Sequence, residues 1–129
     1  MQPIWQPSEE AIEQAQLTQF ARQVVRKHRL ELNTYEEFYG WTVDEPEAFW
    51  NEVWEWCGVR ASRKGSTVLV DGDKMPGAHW FPEARLNLGE NLLRRGDRGD
   101  ALVFWDERGP QRRVTYSDLT SDVDRKAHV

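Results

Sequence analysis

An α+β fold is what this sequence predicts, with amino-terminal helices packed with a short strand and a β-hairpin. Three observations carry that reading. Apolar residues between Ser8 and Cys57 recur at helical spacing, and from Ser66 the stretch "STVLVDGDKM" changes to a β-branched run bounded by the turn formers Asp71-Gly72-Asp73. Two further strand-like runs, Ala101 to Trp105 and Arg112 to Tyr116, are joined by a Gly-Pro loop, the pattern of a hairpin. At 129 residues the chain has the length of one ordinary domain and enough residues to bury a useful core.

The first helical stretch runs from Ser8 to His28, as one helix or as two breaking near Gln16. Ser8 suits the cap, Glu9 and Glu10 suit the positive end of the helix dipole, and Leu17, Phe20, Val24 and His28 form a stripe widened by Ala21 and Val25. Thr34 and Glu37 then have the spacing of a capping box, and Gly40 offers a stop. Another helix follows, with Thr42 or Asp44 as its cap and Pro46 tolerated in its first turn. Its wide apolar face holds Phe49, Trp50, Val53, Trp54 and Cys57, and Gly58 ends it. After the strand and the hairpin, Ser117 or Asp118 caps a last helix with Leu119, Val123 and Ala127 at i, i+4 and i+8. No Gly, Pro or further strand follows it before Val129. A helix with one apolar stripe needs a covering surface, so a neighbour is expected there.

Charge and composition exclude several functions. The net charge of −5 is uneven: residues 1–60 hold 11 acids and 5 bases, residues 61–129 hold 11 acids and 12 bases. The densest basic stretch, "LLRRGDRGD", interleaves its arginines with Asp97 and Asp100, so no nucleic-acid face is expected, and Arg98-Gly99-Asp100 reads as a charged loop. The longest apolar run is a few residues against the roughly 20 that span a bilayer, and no membrane partner is expected. "MQPIWQPSEE" has neither the basic flank nor the apolar core of a secretory signal, and Cys57 is the single cysteine. A cytoplasmic location is the expectation.

The residues that bear chemistry form no catalytic group. His28, His79 and His128 are far apart and in no ligand spacing, so no metal site is expected. The acid pairs Glu9-Glu10 and Glu36-Glu37 lie in first helical turns, and there is no nucleophile elbow, phosphate loop or dinucleotide fingerprint. Of the seven tryptophans, Trp50 and Trp54 stand one turn apart on a face with Phe49 and Val53, the placement of core residues rather than a ligand platform. Trp80 and Phe81 are adjacent, project differently from an irregular backbone, and can lock a loop between two layers. Asn87 and Asn91 share a face if "RLNLGENLL" is helical. An amide is no general acid or base, so the pair is read as anchors for backbone groups of the incoming loop. No residue of this chain is expected to be catalytic, cofactor-binding or metal-binding; Trp80, Phe81, Arg85, Asn87 and Asn91 are expected to be structural.

Taken together, "IWQPS" at 4–8, "EAFWNEVWEW" at 47–56, "MPGAHWFPEARLNLGENLL" at 75–93 and "VTYSDL" at 114–119 resemble the amino-terminal part of the acetoacetyl-CoA synthetases, acyl-CoA synthetases of the adenylate-forming superfamily. That family's usual wording at the hinge is close to Trp-Phe-Pro-Gly-Ala-Arg-Leu-Asn-Tyr-Ala-Glu-Asn-Leu-Leu. Trp80, Phe81, Pro82, Ala84, Arg85, Leu86, Asn87, Glu90, Asn91, Leu92 and Leu93 match it; Glu83 replaces Gly, and Leu88-Gly89 replaces Tyr-Ala. The aromatic pair with Leu-Asn is shared with acetyl- and propionyl-CoA synthetases, while "IWQPS" and "MPGAHWFP" favour acetoacetate.

The resemblance implies an incomplete piece of the adenylate-forming enzyme fold: an amino-terminal helical extension over 1–33, an acetyl-CoA-synthetase-type region over 34–93, and the start of an AMP-binding domain over 94–129. It implies a parent ligase of lipid metabolism using ATP, Mg²⁺ and coenzyme A, whose phosphate-gripping loop, ribose-binding Asp and adenylation Lys lie beyond the matched region. The partner implied for this segment is the remainder of its own adenylation domain, which it would cover and buttress. A segment of an acetyl- or propionyl-CoA synthetase and a stand-alone protein-interaction module are the alternatives.

Overall fold

The computed structural model describes residues 4–127. It is a mixed fold of six helices and two small antiparallel sheets among those residues, in the order α1 (Glu9–Gln14), α2 (Gln16–His28), α3 (Tyr35–Asp44), α4 (Pro46–Trp56), β1 (Leu69–Val70), β2 (His79–Trp80), α5 (Leu88–Leu92), β3 (Asp100–Asp106), β4 (Gly109–Thr115) and α6 (Tyr116–Ala127). The chain divides into two compact units. One holds the residues up to Val59 together with Ser66–Pro82; the other holds Arg60–Gly65 and the residues from Glu83 onward.

The first unit is helical. The Ser8 hydroxyl caps α1 by accepting from the Ala11 amide at 3.2 Å, and Ala15, with an extended backbone, separates α1 from α2. Two helices therefore form, the second of the two arrangements the pattern allowed. On α2 the expected stripe is only partly covered: Phe20 and Val24 are buried, whereas Leu17 is exposed. Phe20 and Val24 meet Phe38 of α3, with Phe49, Val53 and Trp56 of α4 packed around them. The rings meet edge to face, Phe20 standing 6.1 Å from both Phe38 and Phe49, contacts of about 0.5–1.5 kcal/mol each beyond their buried area.

Helix boundaries follow the local chemistry. The α3 capping box forms, the Thr34 hydroxyl accepting from the Glu37 amide while the Glu37 carboxylate accepts from the Thr34 amide. Gly40 does not stop α3, which runs four residues further, to Asp44. Neither Thr42 nor Asp44 caps α4: the Thr42 hydroxyl donates back to the Tyr39 carbonyl, and Glu45 precedes Pro46 at the first helical position without a side-chain cap. Pro46 brings the fixed φ that a helix start needs and has no N–H to leave unpaired, so one of the unpartnered donors of a helix start is absent. At the far end Gly58, at φ 58°, lets the Val59 amide reach the Trp54 carbonyl and its own amide reach that of Glu55, the Schellman arrangement. The same left-handed turn ends α2, but there it is Arg29 that adopts φ 55°, a conformation costing an L-residue roughly 1–2 kcal/mol.

In the second unit, β3 and β4 pair from Asp100↔Thr115 to Asp106↔Gly109. The Gly-Pro pair is thus part of β4, and Glu107-Arg108 makes the turn instead. Asp106 sets it, its carboxylate accepting from the Arg108 amide at 2.8 Å. Tyr116 belongs to α6 rather than to the strand. The cap of α6 is Thr115, whose hydroxyl accepts from the Asp118 amide at 3.1 Å, while the Tyr116 and Ser117 amides reach the carbonyls of Gly99 and Asp97. Ser117 and Asp118, expected as caps, lie inside the first turn because those backbone partners let the helix start earlier. Val129 and His128 lie outside the described residues.

Candidate functional site

Trp80 and Phe81 belong to the first unit. Trp80 ends β2 and pairs with Leu69 of β1, and the next residue turns sharply, Phe81 taking φ 45°. That left-handed value is rare for a bulky side chain. It sends the two neighbouring rings to two tryptophans one turn apart on α4: Trp80 lies 5.6 Å from Trp50, and Phe81 lies 4.7 Å from Trp54. The Phe81 amide donates to the Val68 carbonyl at 2.7 Å and fixes the turn. Trp50 and Trp54 thus pack against the hinge, and Trp50 and Trp80 each keep an exposed edge.

Arg85, Asn87 and Asn91 belong to the second unit, and the segment they hold is Arg60–Arg63. The Asn91 amide oxygen accepts from the Arg60 N–H at 2.8 Å and its nitrogen donates to the Arg60 carbonyl at 2.8 Å, as a strand neighbour would. The same nitrogen donates to the Asn87 carbonyl at 2.9 Å, and Arg94 donates to the Asn91 oxygen at 2.9 Å. Asn87 is not within a helix beside Asn91; it caps α5, its oxygen accepting from the Glu90 amide at 3.2 Å. Arg85 acts through its backbone, which bridges Ser62 and Arg63 at 2.8–2.9 Å, and its guanidinium returns to the Ala84 carbonyl. Glu83, the departure from the family wording, pairs with Arg63 at 3.2 Å.

Among the described residues, sequence reasoning missed the most buried ionisable group. Glu52 of α4 is 1% exposed and receives Lys27 Nζ at 2.8 Å, with His28 Nε2 at 3.0 Å. The signal was present: Glu52 is three residues after Phe49 and four before Trp56, inside the apolar stripe, and an acid there must find a cation. Burial pushes this carboxyl up, but the Lys27 ammonium and the His28 ring outweigh it and hold it below the usual glutamate range. His28, read as a stripe position, is drawn instead to that carboxylate.

Among the described residues no group of three His, Cys, Asp or Glu stands where it could hold a metal ion. The phosphates of a nucleotide would need a loop of convergent amides or a cation cluster, and the residues assembled here, two amides spent on Arg60 and Glu90 backbone groups and four packed rings, are not that donor set.

Comparison with known proteins gives the geometry a lineage. The family described as acetyl-coenzyme A synthetase N-terminus matches residues 35–92, which hold the α4 tryptophans, the hinge and both asparagines. The acetoacetyl-CoA synthetase of Rhizobium meliloti is 41% identical over 123 residues, 95% of this chain and 19% of that protein. The chain belongs with the acetoacetyl-CoA synthetases, in their amino-terminal region. A solved structure of acetoacetyl-CoA synthetase from Streptomyces lividans superposes with a TM-score of 0.82 at 40% identity, covering 92% of this chain and 19% of that one. A malonamoyl-CoA synthetase of Penicillium aethiopicum is 33% identical over 129 residues, 95% of this chain and 18% of its own length. The chain therefore spans about a fifth of the length of the relatives it matches. No helix among the described residues is long and apolar enough to cross a membrane.

Proposed function

We propose that this chain is the covering, amino-terminal part of an enzyme that activates a short carboxylic acid with ATP and transfers it to coenzyme A. The single observation that supports a covering role is the hairpin. Leu102, Val103, Phe104 and Trp105 are consecutive and each 44–65% exposed. With the two-residue period of a strand, such a run puts apolar side chains on both faces, the pattern of a strand meant to be buried on both sides. The occupant of that face is the remainder of the adenylation domain, which accounts for a match to only a fifth of each relative.

In the reaction proposed for the whole enzyme, a carboxylate oxygen attacks the α-phosphorus of ATP, pyrophosphate leaves, and the thiol of coenzyme A then displaces AMP from the acyl carbon. ATP, Mg²⁺ and coenzyme A would be held outside the residues described above. This chain's own residues hold the frame: the Trp50–Trp54 and Trp80–Phe81 contacts fix the hinge, and Asn91 fixes the Arg60 strand. The relatives' named products come from acetoacetate and malonamate, which both carry a carbonyl β to the carboxylate, and we extend that substrate class to this protein. A cytoplasmic role in lipid metabolism is part of the same reading. The test is acid-dependent ATP–pyrophosphate exchange by the full-length gene product. Exchange driven by acetoacetate in preference to acetate supports the reading, and the reverse order moves the chain to the acetyl-CoA synthetases.

A further inference from the structure

A second surface in the first unit is not used by the hinge or the hairpin. A groove of about 780 Å³ runs along α2, between α1 and the link from α2 to α3. Its floor is apolar, made by Leu17, Val25, Leu30, Leu32 and Phe38, and one rim is a line of arginines, Arg22, Arg26 and Arg29. Residues 1–60 carry 11 acids against 5 bases, yet three of those five bases line this one groove. Arg22 is engaged by both oxygens of Glu13. Among the described residues Arg26 and Arg29 form no ion pair.

One feature separates this rim from ordinary helix decoration: Arg22 is paired with Glu13 and Arg26 sits in the last turn of α2, where a cation suits the helix dipole, but Arg29 stands at the residue that ends the helix. Arg29 occupies the left-handed position that ends the helix, at φ 55°, where glycine is the unstrained choice. A long cation retained in a conformation that disfavours it points to use of its guanidinium.

We propose that this groove docks an acidic amphipathic segment of a partner protein, its apolar face on the Leu17–Phe38 floor and its carboxylates on Arg26 and Arg29. The charge of the rim selects the sign of the partner, and the planar guanidinium forks suit carboxylates in pairs. The apolar floor selects an amphipathic helix over a plain acidic tail.

The test uses the full-length gene product and two fluorescein-labelled synthetic helices, one with a leucine face and a glutamate face, the other with lysine in place of every glutamate. Fluorescence anisotropy is expected to show binding of the glutamate peptide only, weakened about tenfold or more by high salt. Arg26→Glu with Arg29→Glu should lose that binding by about tenfold and transfer it to the lysine peptide, while Arg26→Lys with Arg29→Lys keeps the original preference. Circular dichroism of each variant confirms that α2 is retained. Equal binding of both peptides, or indifference to charge reversal, overturns the proposal. So does the absence of binding together with exchange protection of residues 29–35, which would show the groove covered by the rest of the same chain.

Discussion

Glu52 of α4 and Lys27 of α2 form an ion pair at 2.8 Å in which the carboxylate is buried and the lysine side chain remains half exposed. That asymmetry decides the energetics. The acid has lost its water and depends on its partners, whereas the lysine does not depend on the acid. The pair, with His28 beside it, ties the end of α2 to the middle of α4 across the core of the first unit.

Replacing Glu52→Gln is expected to cost about 1.5–3 kcal/mol, the range for hydrogen bonds to a charged group. Thermal melts followed by circular dichroism at neutral pH check it.

The same pair predicts how stability responds to acid. The Glu52 carboxyl is held below its ordinary value in the folded state, so the folded protein binds fewer protons than the unfolded chain. Its contribution is present above the unfolded glutamate value near about 4.3 and is lost as pH falls through the lower folded value. The melting temperature should therefore drop more steeply below pH of about 4.3 in the native protein than in the Glu52→Gln variant. Parallel curves would remove this carboxyl from the account.

At the hinge, Trp54 and Phe81 should be energetically coupled. A double-mutant cycle on Trp54→Ala and Phe81→Ala is expected to give about 0.5–1.5 kcal/mol of interaction energy in urea titrations.

Asn91→Ala removes the donor and the acceptor that the Arg60 backbone uses, with an expected cost of about 1–2 kcal/mol. Asn91→Asp keeps an acceptor for the Arg60 amide but has nothing to donate to its carbonyl, and should fall between. Hydrogen exchange at the Arg60 amide separates them: fast in the alanine variant, slow in the aspartate one.

Much of this architecture was legible in the sequence where one signal dominates locally. Thr34 and Glu37 announce their capping box by spacing alone, and the β-branched and aromatic runs announce the hairpin. Boundaries were lost where a competing bond intervenes: the Thr42 hydroxyl turns back to the Tyr39 carbonyl, and the Asp106 carboxylate places the turn ahead of Gly109-Pro110. The site was harder to read because its bonds join distant positions. Asn91 accepts from the Arg60 amide 31 residues away, and nothing local names that partner. The 25-residue separation of Lys27 and Glu52 hides that ion pair in the same way.

The most direct test of the central claim, that the hairpin faces are built to be covered by the rest of a synthetase, is hydrogen exchange of the β3 and β4 amides in two settings. One sample is the 129-residue chain alone; the other is the same chain joined in frame to the remainder of the Rhizobium meliloti relative. The account predicts that Leu102–Trp105 and Arg112–Val114 exchange quickly in the first and become strongly protected in the second, which should also show acetoacetate-dependent activity. Equal protection in both would contradict it.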